Sequence, residues 1–363
     1  MGVSDTYSRG RKLFGENPAG LLVAVVAVLL LLDLVRRLAV GAIAPSALGN
    51  YLWSGLVIGL VYGLAGIGLS LTYSILGFAN FAHGDYLTGG AFAGWSVGYV
   101  IAGVGVADLG SRLLVQATPG RIGANISSAP LVILVGLLAA MAFTVLLALV
   151  LDRAVYKPMR NQEGIALLIA SVGVAFALRY LIAFVFDVNS RGVTASPETF
   201  EILGVVVSSH EITLVVTSLL LMAGVHVVLQ QTKLGTAMRA MADNEDLARV
   251  TGIPTERVIR WTWIIGGALA GAAGYLVVLE SGTISYNFGW VLLLLIFAAV
   301  ILGGIGSVYG AMAGGVLIGL AENLSLVWLN GPWTDFSQPI AFGLMILVLL
   351  FRPSGIFGGV TTA

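Results

Sequence analysis

Cysteine is absent from the 363 residues, which excludes disulfides, thiolate catalysis and zinc-finger chemistry and leaves the redox compartment unreadable. Charge is scarce as well: 10% of residues are charged, against about 25% in an ordinary soluble domain. The charges cancel to a formal net of zero, so there is no basic face for nucleic acid and no strong field to steer a ligand. Lysine occurs only at Lys12, Lys157 and Lys233, and none follows a glycine. A GxxxxGK[ST] phosphate loop is therefore missing, and any dependence on ATP has to come from another subunit. No HExxH helix is present, and His83, His210 and His226 stand far apart without the spacing of a metal site.

Hydrophobic residues fill the space, at 58% of the chain. Ten apolar runs are long enough to be considered as crossings, given that a span needs about 20 residues: roughly 20–43, 51–75, 86–106, 129–151, 164–187, 211–230, 261–280, 290–302, 308–324 and 339–351. The first is interrupted by Asp33, Arg36 and Arg37, and the eighth and tenth are short enough to need extension, tilt or a re-entrant path. The expected fold is all-α, a polytopic transmembrane helical bundle of about eight to ten spans, some short or glycine-broken. Arg9, Arg11 and Lys12 precede the first run, but no clear small-residue cleavage site follows it, so a cleavable signal peptide is not expected.

Lysine and arginine set the orientation. If the 230–260 loop is cytoplasmic, alternation puts 1–19, 76–85, 152–163, 303–307 and the C-terminus on the same side. That side holds twelve basic residues, whereas the opposite loops hold three, Arg112, Arg121 and Arg191. Both termini are expected in the cytoplasm. The outer loops 107–128 and 188–210 read as small, polar surfaces with few apolar residues.

Glycine, at 48 residues, is concentrated inside the apolar runs. Gly55, Gly59 and Gly63 recur every fourth residue, as do Gly90, Gly94 and Gly98, then Gly267 and Gly271, then Gly310 and Gly314. Such ladders lie on one helical face and let another backbone approach closely, which implies a tightly packed bundle without naming a cargo.

Three stretches carry polar chemistry. Gly77–Asp85 places Asn80, His83 and Asp85 between two laddered runs, where polar groups either face the bundle interior or form a turn with Asn80 and Asp85 capping helix ends. Leu302–Gly310 has four glycines in nine residues. It reads either as a tight turn between helices or as a break that exposes backbone at membrane depth, through Gly303, Gly304, Gly306 and Ser307. Glu322 follows about three turns later. Arg179 sits inside its run and calls for a carboxylate on a neighbouring helix, while snorkelling to an interface accounts for His226 and Glu280. The third stretch, Gln230–Arg260, is the longest polar segment and must lie in water. Within it, Thr236–Val250 reads as one amphipathic helix with Gly252 and Pro254 past its end. Such a helix can lie on lipid, pack on its own chain or dock on a soluble partner.

Four motifs, YSILGFANFAHGDYLTGGAF (73–92), RAVYKPMR (153–160), KLGTAMRAMADNEDLARVTGIPTERVI (233–259) and AAVILGGIGSVYGAMAGGVLIGLAENL (298–324), occur in this order. Together they resemble the inner-membrane permeases of branched-chain amino acid ABC importers, the LivH type. The resemblance covers about Tyr51–Gly355; residues 1–50 look like an added N-terminal extension carrying one helix, giving the division 1–50 and 51–355. It implies an importer subunit in the cell membrane of a prokaryote. It also implies a homologous second permease, two cytosolic ATPase subunits that bind the ATP, and an external substrate-binding protein. In this reading Arg239, Ala240, Asp243, Asp246, Arg249 and Gly252 fall on the coupling helix that an ATPase subunit grips. Asn80, His83, Asp85, Gly303, Gly304, Gly306, Ser307 and Glu322 are the candidates for the substrate pathway. Permeases for urea and short-chain amides are similar and form the alternative cargo class. A stand-alone ion-coupled transporter would need intramembrane carboxylates, for which Asp33, Glu280 and Glu322 are a thin supply.

Overall fold

Each of the ten apolar runs falls on a helix in the computed structural model, which describes residues 18–103 and 125–358. In chain order these are α1 (Pro18–Ala39), α2 (Pro45–Leu76), α3 (His83–Gly103), α4 (Pro130–Leu151), α5 (Gly164–Phe186) and α6 (Ser209–Gln231). After the polar segment come α9 (Thr255–Ser281), α10 (Phe288–Gly303), α11 (Val308–Ser325) and α12 (Ser337–Phe351). The polar segment itself forms α7 (Lys233–Asp243) and α8 (Glu245–Val250). Among the described residues six helices are long and apolar enough to cross a membrane, and α10 with α11, bent by 120° at the break between them, pass the same test only as a pair, so that they enter and return rather than add one crossing. Against the eight to ten expected, α1 and α3 supply the difference, since at 22 and 21 residues they have the length of a span. Most of the 107–128 loop lies outside the described residues.

The glycine ladders are the bundle's seams. Gly55, Gly59 and Gly63 of α2 lie on the backbone of α11 at Gly319, Val316 and Met312; a Cβ at Gly59 would stand 2.8 Å from the Val316 Cα. Gly90 and Gly94 of α3 meet Gly271 of α9 and Gly136 of α4, and Gly267 meets Thr144. Gly310 and Gly314 lie on the backbone of α10 at Gly303 and Ala299. Among the described residues Gly98 has only Val132 beside it, so the second ladder packs less closely at its far end. These contacts bury α2 and α9 at the centre, while α4, α5, α6 and α12 keep an apolar outer surface. That distribution is the one a bilayer requires, because lipid tails do not drive apolar faces together and close backbone approach has to hold the helices.

Two ends can be told apart by their contacts. At one, the loop end, α4 continues as a π-turn (Asp152–Tyr156) into Lys157–Met159. There Arg160 holds Asp152 with two bonds of 2.6 and 2.8 Å and joins Lys157 in pairing with Glu256 at the start of α9. Tyr156 stacks on Trp263 at 5.1 Å. At the other, the hairpin end, the 188–210 stretch carries strands that were not expected. β1 (Arg191–Gly192) pairs with β4 (Thr283–Ile284), and β2 (Thr199–Ile202) forms a hairpin with β3 (Val205–Ser208). Nor is this stretch poor in apolar residues: Phe200, Ile202 and Val206 are exposed, and Leu203, at φ +53°, is 99% exposed at the hairpin tip. The Val188 N–H and then the Asn189 amide hold the Asp187 carboxyl below the usual range at the start of this stretch. Ser208 and Glu211 then start α6 with a reciprocal capping box.

The charges that interrupt the first run do not break its helix. Asp33 accepts from Arg36, Arg37 and the Trp328 Nε1, and Arg37 reaches the Val327 carbonyl at 3.3 Å. A one-turn charge cluster is thus closed on itself and stitched to the hairpin end of α11.

Candidate functional site

The Gly77–Asp85 stretch disperses its three polar residues to three neighbours. Gly77 ends α2 in the left-handed conformation at φ +69°. Asn80 turns back, its Oδ1 accepting from the Ala82 N–H at 3.1 Å and from the Tyr156 hydroxyl at 3.3 Å. It thus shapes the turn before α3 and fastens the 152–160 segment beneath it. His83 donates from Nε2 to the Ala65 carbonyl of α2, 2.9 Å away. Asp85 is not a helix cap: it is fully buried and accepts from Arg179 Nε at 3.1 Å and Nη2 at 2.9 Å. The Arg179 guanidinium lies 4.3 Å over the Trp290 ring, so two bonds and an aromatic face stabilise this charge at membrane depth. Asn80, His83 and Asp85 border neither of the polar cavities described below.

The glycine break is a sealed turn. Gly304 and Gly306 have φ of +108° and +87°, and Ser307 caps α11 by accepting from the Gly310 N–H at 3.0 Å. The carbonyls of Leu302 and Gly303, which α10 leaves without helical partners, accept from Ile356 and Phe357 at 2.9 Å. Gly355 and Gly358 lie against Gly304 so closely that no Cβ fits between them. Of the four residues in this group Gly306 borders a small cavity of about 60 Å³ that also touches Ser74, Met238, Arg239, Asp243 and Tyr309.

Glu322 is at the opposite end of α11, away from the break. Its Oε2 accepts from the buried Tyr62 hydroxyl at 2.8 Å. Both residues line a cavity of about 280 Å³ near the hairpin end, together with Ser54, Glu211, Glu280 and Asn323. Three carboxylates from α6, α9 and α11 therefore face one water-accessible space, with no lysine, arginine or histidine among its lining residues. An arrangement of this kind favours a cationic or ammonium-bearing guest. Sequence reasoning found Glu322 and set Glu280 aside; Ser54 and Tyr62 of α2 and Glu211 of α6 carried no signal because they belong to no shared motif and come together only when the helices pack.

The polar segment is two helices, not one. Asn244 ends α7, its N–H donating to the Ala240 carbonyl, and starts α8, its Oδ1 accepting from the Leu247 N–H at 2.8 Å. Its residues divide accordingly. Arg239 turns inward and donates to the Leu229 carbonyl at the end of α6, and Ala240 is half-buried. Asp243, Asp246, Arg249 and Gly252 are exposed, with Arg249 paired to Glu245 at 2.7 Å. Beside them Leu247 and Val250 are 61% and 85% exposed. His226, exposed near the end of α6, has its Nδ1 2.8 Å from the Tyr309 hydroxyl, which also accepts from Gln230 Nε2 at 3.0 Å.

A buried glycine-packed bundle, an acidic cavity at one end and a pair of charged helices at the other now stand together. The family described as the branched-chain amino acid transport system permease component matches residues 51–349. The chain belongs to this family. It is 32% identical over 311 residues to the high-affinity branched-chain amino acid transport system permease protein BraD of Pseudomonas aeruginosa, covering 84% of this chain and 94% of that one. Identity is also 32%, over 316 residues, to the LivH permease protein of Escherichia coli K12, covering 85% of this chain and 94% of the relative. A shorter match, 28% over 124 residues, links 34% of this chain to 28% of the LivM permease protein of the same organism. No solved structure matches. The family's stretch begins at Tyr51, so α1 lies ahead of it.

Proposed function

We propose that the protein is the membrane-spanning permease subunit of an ABC importer and carries branched-chain or related amino acids across the cell membrane of a prokaryote. The observation that carries this reading is the division of labour between the two ends of one bundle: a carboxylate-lined cavity at the hairpin end, and two solvent-facing charged helices at the loop end. A zwitterionic amino acid presents an ammonium group that the first can attract. A cytosolic ATPase can grip the second as a rigid body, and its closure then moves α6 and α9, between which α7 and α8 are strung. ATP is bound by the partner subunits. The likeness to LivM supports a second, homologous permease beside this one, and an external binding protein delivers cargo to the hairpin end.

In this assignment Glu322, with Glu280 and Glu211, belongs to the substrate's entry, and Gly303, Gly304, Gly306 and Ser307 form the inner limit of its route. Asn80, His83 and Asp85 serve by fixing α3 against its neighbours beside that route. Purification of the tagged chain from its native membrane, followed by identification of the bound subunits and by uptake in vesicles, tests the whole. The expected result is an ATPase with a phosphate loop in the complex and ATP-dependent uptake of leucine, isoleucine or valine in preference to urea or acetamide. Preference for the amides would reassign the cargo, and uptake by the chain alone on an ion gradient would overturn the importer.

A further inference from the structure

We propose that Tyr309 is a positioning residue that carries movement of the ATPase-gripped helices into the glycine break. The proposal rests on the importer reading given above and names the route by which its two ends communicate. Tyr309 is the third residue past Gly306, in the first turn of α11, and its hydroxyl is held by His226 and Gln230 from the last two turns of α6. Gln230 is followed within three residues by α7, and Arg239 of α7 donates back to the Leu229 carbonyl. The last turn of α6, α7 and the first turn of α11 are therefore joined by side-chain bonds as well as by the chain.

Between them lies the 60 Å³ cavity, walled by Met238, Arg239 and Asp243 of the gripped segment and by Gly306 and Tyr309 of the break. Direct packing there is incomplete, so a push from α7 has a gap to cross at Gly306, whereas the bonds to Tyr309 cross it without one. The break is suited to respond. Gly304 and Gly306 hold positive φ, Ser74 alone among the described residues comes near a Cβ built at Gly306, and Ile305 between them is exposed. By contrast Gly304 is wedged against Gly355 and Gly358. The pivot consequently falls on the Gly306 side, next to Tyr309, and the C-terminal segment anchors the other side. His226 and Gln230 are exposed on α6 and no other side chain is bonded to either, which leaves the Tyr309 hydroxyl as their one polar tie to the break among the described residues.

The absence of cysteine allows a direct test. A single Ile305→Cys in the purified, membrane-reconstituted complex is labelled by a water-soluble maleimide with and without an ATP analogue that closes the ATPase subunits. The labelling rate should change with nucleotide in this background, and Tyr309→Phe should abolish the change while ATP hydrolysis and the complex's thermal stability stay as they were. His226→Leu with Gln230→Leu removes the same bonds from the α6 side and should give the same loss, which guards against a defect peculiar to the Tyr309 variant. A nucleotide-dependent change that survives in both backgrounds overturns the proposal. A rate that no longer changes because hydrolysis or assembly is also lost overturns it too, since the residue would then be structural. No cargo enters the assay, so a wrong assignment of substrate leaves the outcome standing, and absence of an ATPase from the purified complex would count against the importer reading instead.

Discussion

Arg179 of α5 grips Asp85 of α3 through two near-parallel hydrogen bonds across 94 residues of sequence, with both side chains out of water and the Trp290 ring closing the third side. Removing one partner strands the other charge in an apolar interior, a loss of about 3–5 kcal/mol in buried pairs of this sort, whereas replacing both by apolar residues is often neutral. Arg179→Met should therefore sharply lower the thermal stability of the purified complex, and Arg179→Met with Asp85→Leu should recover most of it. If the double variant transports normally, the pair is an assembly lock. If it is stable and inactive, Asp85 acts in the route as well.

The division of the polar segment changes how coupling is probed. Reversing Arg239 disturbs the packing of α7 on α6, because its guanidinium closes the Leu229 carbonyl. Arg249→Glu acts on an exposed residue of α8 and isolates docking. Leu247 and Val250 are a sharper probe still, since apolar side chains so exposed on a charged helix gain burial only from a partner. Leu247→Asp with Val250→Asp should weaken binding of the ATPase subunits by about 2 kcal/mol or more, roughly 30-fold, with the bundle intact. Co-purification in undiminished amount would move the docking surface elsewhere.

How far the sequence carries can be seen in the same two regions. The helices were legible because apolar length and glycine spacing are local signals, whereas the caps at Ser208, Asn244 and Ser307 went unread although their chemistry is short-range. Arg179 announced that it needed a carboxylate, but the choice of Asp85 depends on which helix packs beside α5, and no local pattern encodes that. The acidic cavity was missed for the same reason: Glu280 and Glu322 were read one at a time and Glu211 not at all, and only the packing of three helices brings them together. Helix breaking at Asn244 was masked by an amphipathic period that runs across it. The strands at 191–208 were hidden by brevity, the longest holding four residues.

Topology follows from the charge bias and from an even number of crossings. Ser4→Cys and Thr361→Cys, which lie outside the described residues, should both be labelled only when a membrane-impermeant maleimide has access to the cytoplasmic face. Lys157→Cys should behave alike, because the 152–163 loop is bonded to Glu256 at the start of α9, just after α7 and α8. Labelling of Ser4→Cys and Thr361→Cys from opposite faces would mean that the number of spans is odd.

The glycines at the break and in the ladder separate route from packing. An isoleucine at Gly306 meets open space, with the nearest atom, the Ser74 Cβ, 3.7 Å from its own Cβ, but it must adopt φ +87°, which costs a branched residue about 1–3 kcal/mol. The expense is local to the turn and should leave α10 and α11 docked. Gly63→Ile is different: its Cβ would sit 3.1–3.3 Å from the Met222 side chain and the Met312 backbone, on the seam between α2 and α11. Only the methionine can yield, and the remaining branches force the two central helices apart, where overpacking also costs about 1–3 kcal/mol and acts on the whole interface. Gly306→Ile should then keep the assembled complex and lose uptake, while Gly63→Ile loses the complex, as read by size-exclusion chromatography alongside transport. Uptake at the parent rate by Gly306→Ile would take the break out of the mechanism and leave the acidic cavity as the part of the bundle on which transport turns.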